Sequence, residues 1–151
     1  ILIVGDTVVA AQAFQEIIPP HYSRVILVDT FKDEAEESLR VARALGENLE
    51  GVRLDTPEER GGVTPGLVEE VRVRLDQAGF SQVKIVVSGG LNPARIQALK
   101  EKVDIFGVGS YISGHSPVDM TMDLKEIGGE KIAKRGRLPG IIPNPRLKQI
   151  K

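Results

Sequence analysis

The sequence predicts an α/β fold assembled from parallel βα units and followed by a β-hairpin and an irregular arm. Three observations carry this. Short runs of Val, Ile and Leu recur at residues 1–4, 25–28, 52–54, 83–87 and 104–108. The stretches between them place apolar residues three and four apart, with charges on the other face, which is the helical period. Glycine-rich turns follow the last two runs. Strands alternating with amphipathic helices specify a parallel sheet.

Each element has its own signal. Residues 1–4, Ile-Leu-Ile-Val, read as a first strand. A weak helix is expected over 7–18, stopped by Pro19-Pro20. A helix over 33–45 sets Ala35, Leu39, Ala42 and Leu45 on one side, gathers Asp33, Glu34, Glu36 and Glu37 at the positive end of its dipole, and stops before Gly46. Thr64 followed by Pro65 is an N-cap and a first helical residue, opening a helix with Leu67, Val71, Leu75 and Ala78 inward and Gly79 as terminator. Asn92-Pro93 repeats that opening before Ile96 and Leu99. Residues 122–134 alternate in polarity around Gly128-Gly129, as a hairpin does. The arm, 137–151, holds Pro139, Pro143 and Pro145.

Composition removes several classes. The 151 residues, 41% hydrophobic and 27% charged, have the balance of a globular domain. A closed β/α barrel takes about 250 residues, so this pattern is a smaller fold or part of a larger one. Ile1 already lies in a strand-like run, and the expectation is a chain belonging to something longer. The absence of cysteine excludes disulfide scaffolds, thiolate zinc sites and cysteine nucleophiles, and is compatible with the expected cytoplasmic location. No apolar stretch approaches the roughly 18 residues of a membrane span, so no membrane partner is expected. A net charge of -1 and few aromatics argue against a nucleic-acid surface. The near-neutral total covers an acidic middle, ten acids against five bases over 29–60, and a basic tail, eight Lys/Arg against two Glu from Leu124 onward.

Ligands of parallel α/β folds bind at the carboxyl ends of strands, where glycine turns let backbone N–H groups approach phosphate. Ser88-Gly89-Gly90 and Gly107-Val108-Gly109-Ser110 are two such turns after consecutive strands, an arrangement that points to one shared phosphate site. The alternative is that these glycines only make tight turns. Asp29 and Asp55 stand where apolar runs stop, and Arg53 shares a strand face with Asp55. Carboxylates there suit ribose hydroxyls or magnesium-bearing phosphates, and a guanidinium suits a carboxylate or phosphate. The competing readings are helix capping by Asp29 and a structural pair between Arg53 and Asp55. His115, beyond the second turn, is a candidate for the edge of the site, whereas His21 sits in an exposed connection. Lys84 reads as a strand-start lysine reaching solvent rather than a Schiff-base former. No metal-ligand cluster, HExxH, GxSxG, Walker or Rossmann motif is present.

Taken together, Leu27-Val28-Asp29-Thr30-Phe31-Lys32-Asp33-Glu34, Gly51-Val52-Arg53-Leu54-Asp55-Thr56-Pro57, Val87-Ser88-Gly89-Gly90-Leu91, Phe106-Gly107-Val108-Gly109-Ser110-Tyr111-Ile112 and Lys134-Arg135-Gly136-Arg137 resemble, in order and spacing, the carboxyl-terminal half of the nicotinate phosphoribosyltransferases. The resemblance implies a partial irregular β/α barrel of the type II phosphoribosyltransferase kind over 1–117, with 118–151 belonging to the family's second domain. It implies formation of nicotinate mononucleotide and pyrophosphate from nicotinate and phosphoribosyl pyrophosphate, in NAD biosynthesis, by a homo-oligomer, at least a dimer. Ser88, Gly89, Gly90, Gly107, Gly109 and Ser110 would hold the 5-phosphate. Asp29 and Asp55 would meet ribose hydroxyls or position pyrophosphate and magnesium, and Arg53 would approach the pyridine ligand or its phosphate. Magnesium would accompany phosphoribosyl pyrophosphate. ATP use is associated in the family with a histidine that precedes the segment corresponding to Ile1, so this chain by itself is expected to lack a complete active site. Leu91 stands where nicotinamide-using relatives carry aspartate, which favours nicotinate. The alternatives are a quinolinate phosphoribosyltransferase and a non-catalytic phosphate-binding or assembly module.

Overall fold

The computed structural model describes residues 1–146 and Lys148. Their contacts divide into two units, Ile1–His115 and Ser116–Lys151.

In the first unit four parallel strands, β1 (Val25–Leu27), β2 (Gly51–Leu54), β3 (Lys84–Val87) and β4 (Ile105–Phe106), lie side by side in chain order. Helices α1 (Thr7–Ile17), α2 (Glu34–Leu45), α3 (Pro65–Gln77) and α4 (Pro93–Leu99) precede and separate them, and α2 packs against both α1 and α3. Burial divides the sheet into two unlike faces, because successive strand residues point opposite ways. Ile26, Val28, Val52, Leu54, Ile85 and Val87 are buried in one core with Val41, Leu45, Val68, Val71 and Leu75 of the helices. Across the sheet, Val25 and Leu27 are half-buried, Arg53 and Ile105 are exposed, and Gly51 and Val86 are buried.

The helix starts follow from their caps. Thr64 Oγ1 accepts from the Leu67 N–H at 3.2 Å and Asn92 Oδ1 from the Arg95 N–H at 2.9 Å, each satisfying an amide with no partner inside its helix. Asp33 caps α2 in the same way, accepting from Glu36 N–H at 2.8 Å. Asp6, with no part in the expected pattern, caps α1 through the Val8 and Val9 amides. The buried Arg24 guanidinium donates to the Gln15 carbonyl in the last turn of α1 and to the Ile18, Pro19 and Tyr22 carbonyls just after it.

One expectation is corrected and two gain detail. Residues 1–4 are not a strand: Val4 and Gly5 donate to the Ile1 carbonyl at 3.0 and 2.9 Å, and Leu2, Ile3 and Val4 are exposed. The backbone turns there because Gly5, at a φ of 85°, swings the chain into the Asp6 cap. In α3 Val71 and Leu75 are buried and Leu67 is half-buried against the core, as expected, while Val68 joins the buried stripe and Ala78 is only half-buried. In α2, Glu34 and Glu37 are buried rather than solvated, with Glu37 Oε2 held by Arg40 at 2.6 Å and Arg40 reaching on to Asp6 at 2.7 Å.

The second unit contains the expected hairpin in shorter form. Strands β5 (Glu126–Ile127) and β6 (Glu130–Lys131) pair antiparallel around Gly128 and Gly129, whose φ values of 58° and 87° suit a tight hairpin turn. Pairing does not run on to 122 and 134 because the Lys125 carbonyl, after accepting from Ile132, also accepts from Gly140, where the following chain folds back. Asp123 pairs with Arg137 at 3.3 Å. The arm is irregular over 137–146; Leu147 and residues 149–151 lie outside the described residues.

Candidate functional site

The register of the sheet places the chemistry. Leu27, Arg53, Val86 and Ile105 are partners across the four strands. Two residues further along each strand, on the same uncovered face, come Asp29, Asp55, Ser88 and Gly107. The backbone ladder continues towards this row, with Val28 N–H donating to Arg53, Ser88 N–H to Leu54 and Gly107 N–H to Val87 at 3.2, 2.9 and 2.8 Å. Sites of this kind sit at the carboxyl ends of parallel strands.

Side chains tie the row together. Asp29 Oδ2 accepts from the Asp55 N–H at 3.0 Å, and Asp55 Oδ2 accepts from the Ser88 hydroxyl at 2.9 Å. The capping role weighed for Asp29 belongs to Asp33, so Asp29 is left for the row. Arg53 and Asp55 share the face, but their nearest charged atoms are 4.0 Å apart and both side chains remain substantially exposed, which is a weak pair. Gly89 has a φ of 87°, and a Cβ there would fall against Asp55 Oδ1. Glycine is therefore needed both for the backbone and for the approach of the carboxylate. A Cβ on Gly107 would stand 3.2 Å from Ser88 Cβ.

Burial raises the Asp29 carboxyl above its ordinary value; the Asp55 N–H opposes this, and the Asp55 and Glu34 carboxylates add to it. Carboxyls perturbed by burial beside other carboxylates occur at functional sites and in structural networks alike.

The remaining candidates lie around this centre. Gly90 faces Arg95 rather than the row. Gly109 and Ser110 follow β4, at the start of a four-residue helix, α5 (Ser110–Ser113), and a Cβ on Gly109 would meet nothing within 4 Å. His115 is exposed, its ring 5.8 Å from that of Tyr111 in an edge-on arrangement. Leu91 is buried in the core cluster. Lys84 is exposed at the opposite strand end and pairs with Glu50 at 3.3 Å. A cleft of about 760 Å³ also opens at that far end, lined in part by Pro19, Tyr22, Arg24, Glu47 and Lys84. It contains none of the row, and its Arg24 is already occupied by carbonyls.

Sequence reasoning missed a second network beside it. Buried Glu34 accepts from the Thr56 hydroxyl at 2.7 Å, with Arg60 at 3.9 Å, joining the first turn of α2 to the loop after β2. Arg95 pairs with Glu58 at 2.6 Å above Gly90. The available signals were the position of Thr56 next to Asp55 and an arginine five residues after Gly90. Among the described residues no group of three or more His, Cys, Asp or Glu could hold a metal ion, and no helix is long and apolar enough to cross a membrane.

Known proteins resemble this chain over most of its length. The family described as quinolinate phosphoribosyl transferase, C-terminal domain, matches residues 1–123. Nicotinate phosphoribosyltransferase pncB1 of Mycobacterium tuberculosis (strain ATCC 25618 / H37Rv) is 36% identical over 114 residues, covering 73% of this chain and 24% of that protein. The Bacillus subtilis (strain 168) nicotinate phosphoribosyltransferase is 33% identical over 108 residues, covering 66% and 21%. Nicotinate-nucleotide pyrophosphorylase from Pyrococcus furiosus, known from its crystal structure, is 46% identical with a TM-score of 0.77, over 93% of this chain and 36% of that one. The chain thus spans less than a quarter of those curated relatives and just over a third of the solved chain. With its parallel sheet and strand-end row, this chain belongs to the quinolinate phosphoribosyl transferase C-terminal domain family, within the nicotinate and quinolinate phosphoribosyltransferase superfamily.

Proposed function

We propose that this chain supplies the ribose and phosphate side of a phosphoribosyltransferase that joins a pyridine carboxylic acid to phosphoribosyl pyrophosphate in NAD biosynthesis. The observation that carries the reading is the row Asp29, Asp55 and Ser88, hydrogen-bonded from strand to strand beside Gly107 and the Gly89-Gly90 turn. In such a reaction the bond from the anomeric carbon to pyrophosphate breaks as the pyridine nitrogen bonds to that carbon, and positive charge builds on the ribose. Asp29 and Asp55 would hold the ribose hydroxyls and stabilise that charge. Ser88, Gly89, Gly90, Gly107, Gly109 and Ser110 would form the phosphate turns, Arg53 would meet the carboxylate of the acid, and His115 would stand at the edge.

On this reading residues 1–117 are wall of an irregular barrel and residues 118–151 belong to a second domain. Magnesium entering with phosphoribosyl pyrophosphate needs only one or two protein carboxylates, and Asp29 and Asp55 are the pair available; the ion would neutralise the departing pyrophosphate. The acid is nicotinate, or quinolinate, whose second carboxylate would have to leave as carbon dioxide for the same mononucleotide to form. The family match over 123 residues bears the quinolinate name. The curated relatives bear the nicotinate name, and Arg53, the guanidinium on the row's own face, suits an acid with one carboxylate.

The test uses the complete protein with phosphoribosyl pyrophosphate and each acid in turn, reading pyrophosphate release. Release with either acid, lost in Asp55→Ala, is the expected result, and the preferred acid names the substrate. No release, with no binding of nicotinate mononucleotide by calorimetry, would overturn the reading in favour of a structural module.

A further inference from the structure

One side chain at this end of the sheet has a setting that the reading above does not use. Gly62 and Gly90 have φ values of 67° and 57° and face the Arg95 guanidinium. A Cβ on Gly62 would lie 2.9 Å from Arg95 Nη2, and one on Gly90 would lie 3.2 Å from Nη1. The guanidinium therefore fills room left by two missing side chains and rests against the Gly89-Gly90 turn, with Nη1 3.5 Å from the Gly90 carbonyl. Its short contact is Nη2 to Glu58 Oε1 at 2.6 Å.

Charge decides what this arrangement is for. Asp29, Asp55 and Glu34 make this end of the sheet acidic, yet a mononucleotide brings a phosphate of up to two negative charges. Arg53 is drawn towards Asp55 and Arg60 towards Glu34. Arg95 is the guanidinium seated on the glycine turn, and it is better covered than its partner: its side chain is 29% exposed, that of Glu58 72%. A solvent-exposed carboxylate holds a cation weakly, whereas a phosphate offers the fork of a guanidinium two parallel hydrogen bonds.

We infer that Arg95 is a phosphate-binding residue of this site and that Glu58 holds its guanidinium in place until a ligand phosphate displaces the carboxylate. Arg95 then distinguishes phosphorylated ligands from the corresponding nucleosides. The inference rests on the phosphoribosyltransferase reading, and its test separates the two.

In the complete protein, calorimetry with nicotinate mononucleotide and with nicotinate riboside, which lacks the phosphate, compares the wild type with Arg95→Gln and Glu58→Gln. Arg95→Gln should weaken mononucleotide binding about tenfold or more and leave riboside binding unchanged. Arg95→Lys, which keeps the charge without the fork, should fall between. Glu58→Gln should tighten mononucleotide binding, again without effect on the riboside. Equal losses for both ligands, or none, in Arg95→Gln would overturn the inference while leaving the enzyme reading intact. If Arg95→Gln fails to fold, Glu58→Gln decides: unchanged or weakened mononucleotide binding overturns the exchange. A wild type that binds neither ligand overturns the phosphoribosyltransferase reading and the inference with it.

Discussion

The Ser88 hydroxyl donates to Asp55 Oδ2 at 2.9 Å, tying the ends of β2 and β3 through residues 33 positions apart. The bond fixes one carboxylate oxygen and leaves the other facing Gly89. Ser88→Ala in the complete protein should lower mononucleotide affinity about tenfold, the worth of a hydrogen bond to a charged group. The unfolding free energy should move by less than about 1 kcal/mol, because neither side chain is fully buried. Calorimetry and urea unfolding of the same variant read both.

Gly89 and Asp55 should behave as one unit. Gly89→Ala places a side chain in left-handed backbone, at about 1–2 kcal/mol, and pushes the Asp55 carboxylate away. In a double-mutant cycle with Asp55→Ala, the two losses of mononucleotide affinity should fall short of additivity by about 0.5–3 kcal/mol. Full additivity would mean that Gly89 acts on the backbone alone.

Asp29 gives a pH signature. Its carboxyl is raised above the ordinary aspartate value by burial, so the folded chain holds this proton more tightly than the unfolded chain. Stability from this group is present below the ordinary aspartate range and is lost as pH climbs through the raised value. Asp29→Asn retains an acceptor for the Asp55 N–H but not the charge. It should be more stable than wild type at neutral pH, with the gain fading as the solution is acidified below the ordinary aspartate range, while turnover falls. Urea midpoints across pH 3–8, about the span in which a carboxyl of this kind titrates, give the profile; a constant difference would place the effect elsewhere.

The two faces of the sheet allow a test of barrel closure. Ile85 lies on the helix-covered face with no exposure, and Ile105 lies on the other face, 45% exposed. In the complete protein Ile85→Ala should cost about 2–5 kcal/mol. Ile105→Ala should cost a similar amount if further strands close over the open face, and within about 0.5 kcal/mol if it stays in water. Chemical unfolding of the two variants distinguishes a barrel wall from an open sheet.

What the sequence reveals about this fold is mostly local. Thr64-Pro65 and Asn92-Pro93 announce helix starts because a cap and a fixed φ act within a few residues, and the four sheet strands are short apolar runs bounded by turn residues. The same apolarity misleads at residues 1–4, where composition suits a strand but the Gly5 turn and the Asp6 cap dictate the backbone. Alternation placed Arg53 and Asp55 on one face. It could not show that the Asp55 amide would find Asp29, because that bond depends on strand register across the intervening helix. Glu34, Glu58 and Arg95 escaped notice for a related reason: charged residues in first turns and loops read as solvated, and only the packed chain brings them to Thr56, Gly62 and Gly90.

The strand order has one more consequence, for how unevenly this row resists opening. Among the described residues β2 and β3 are paired along both edges, whereas β1 and β4 are each paired along one. Amide hydrogens of the inner strands can exchange with solvent only through larger excursions than those of the outer ones. Amide exchange of this chain should therefore be slowest in the strands that lead to Asp55 and Ser88 and quicker in those that lead to Asp29 and Gly107. A ligand settling on the row would then meet a fixed centre between two compliant ends.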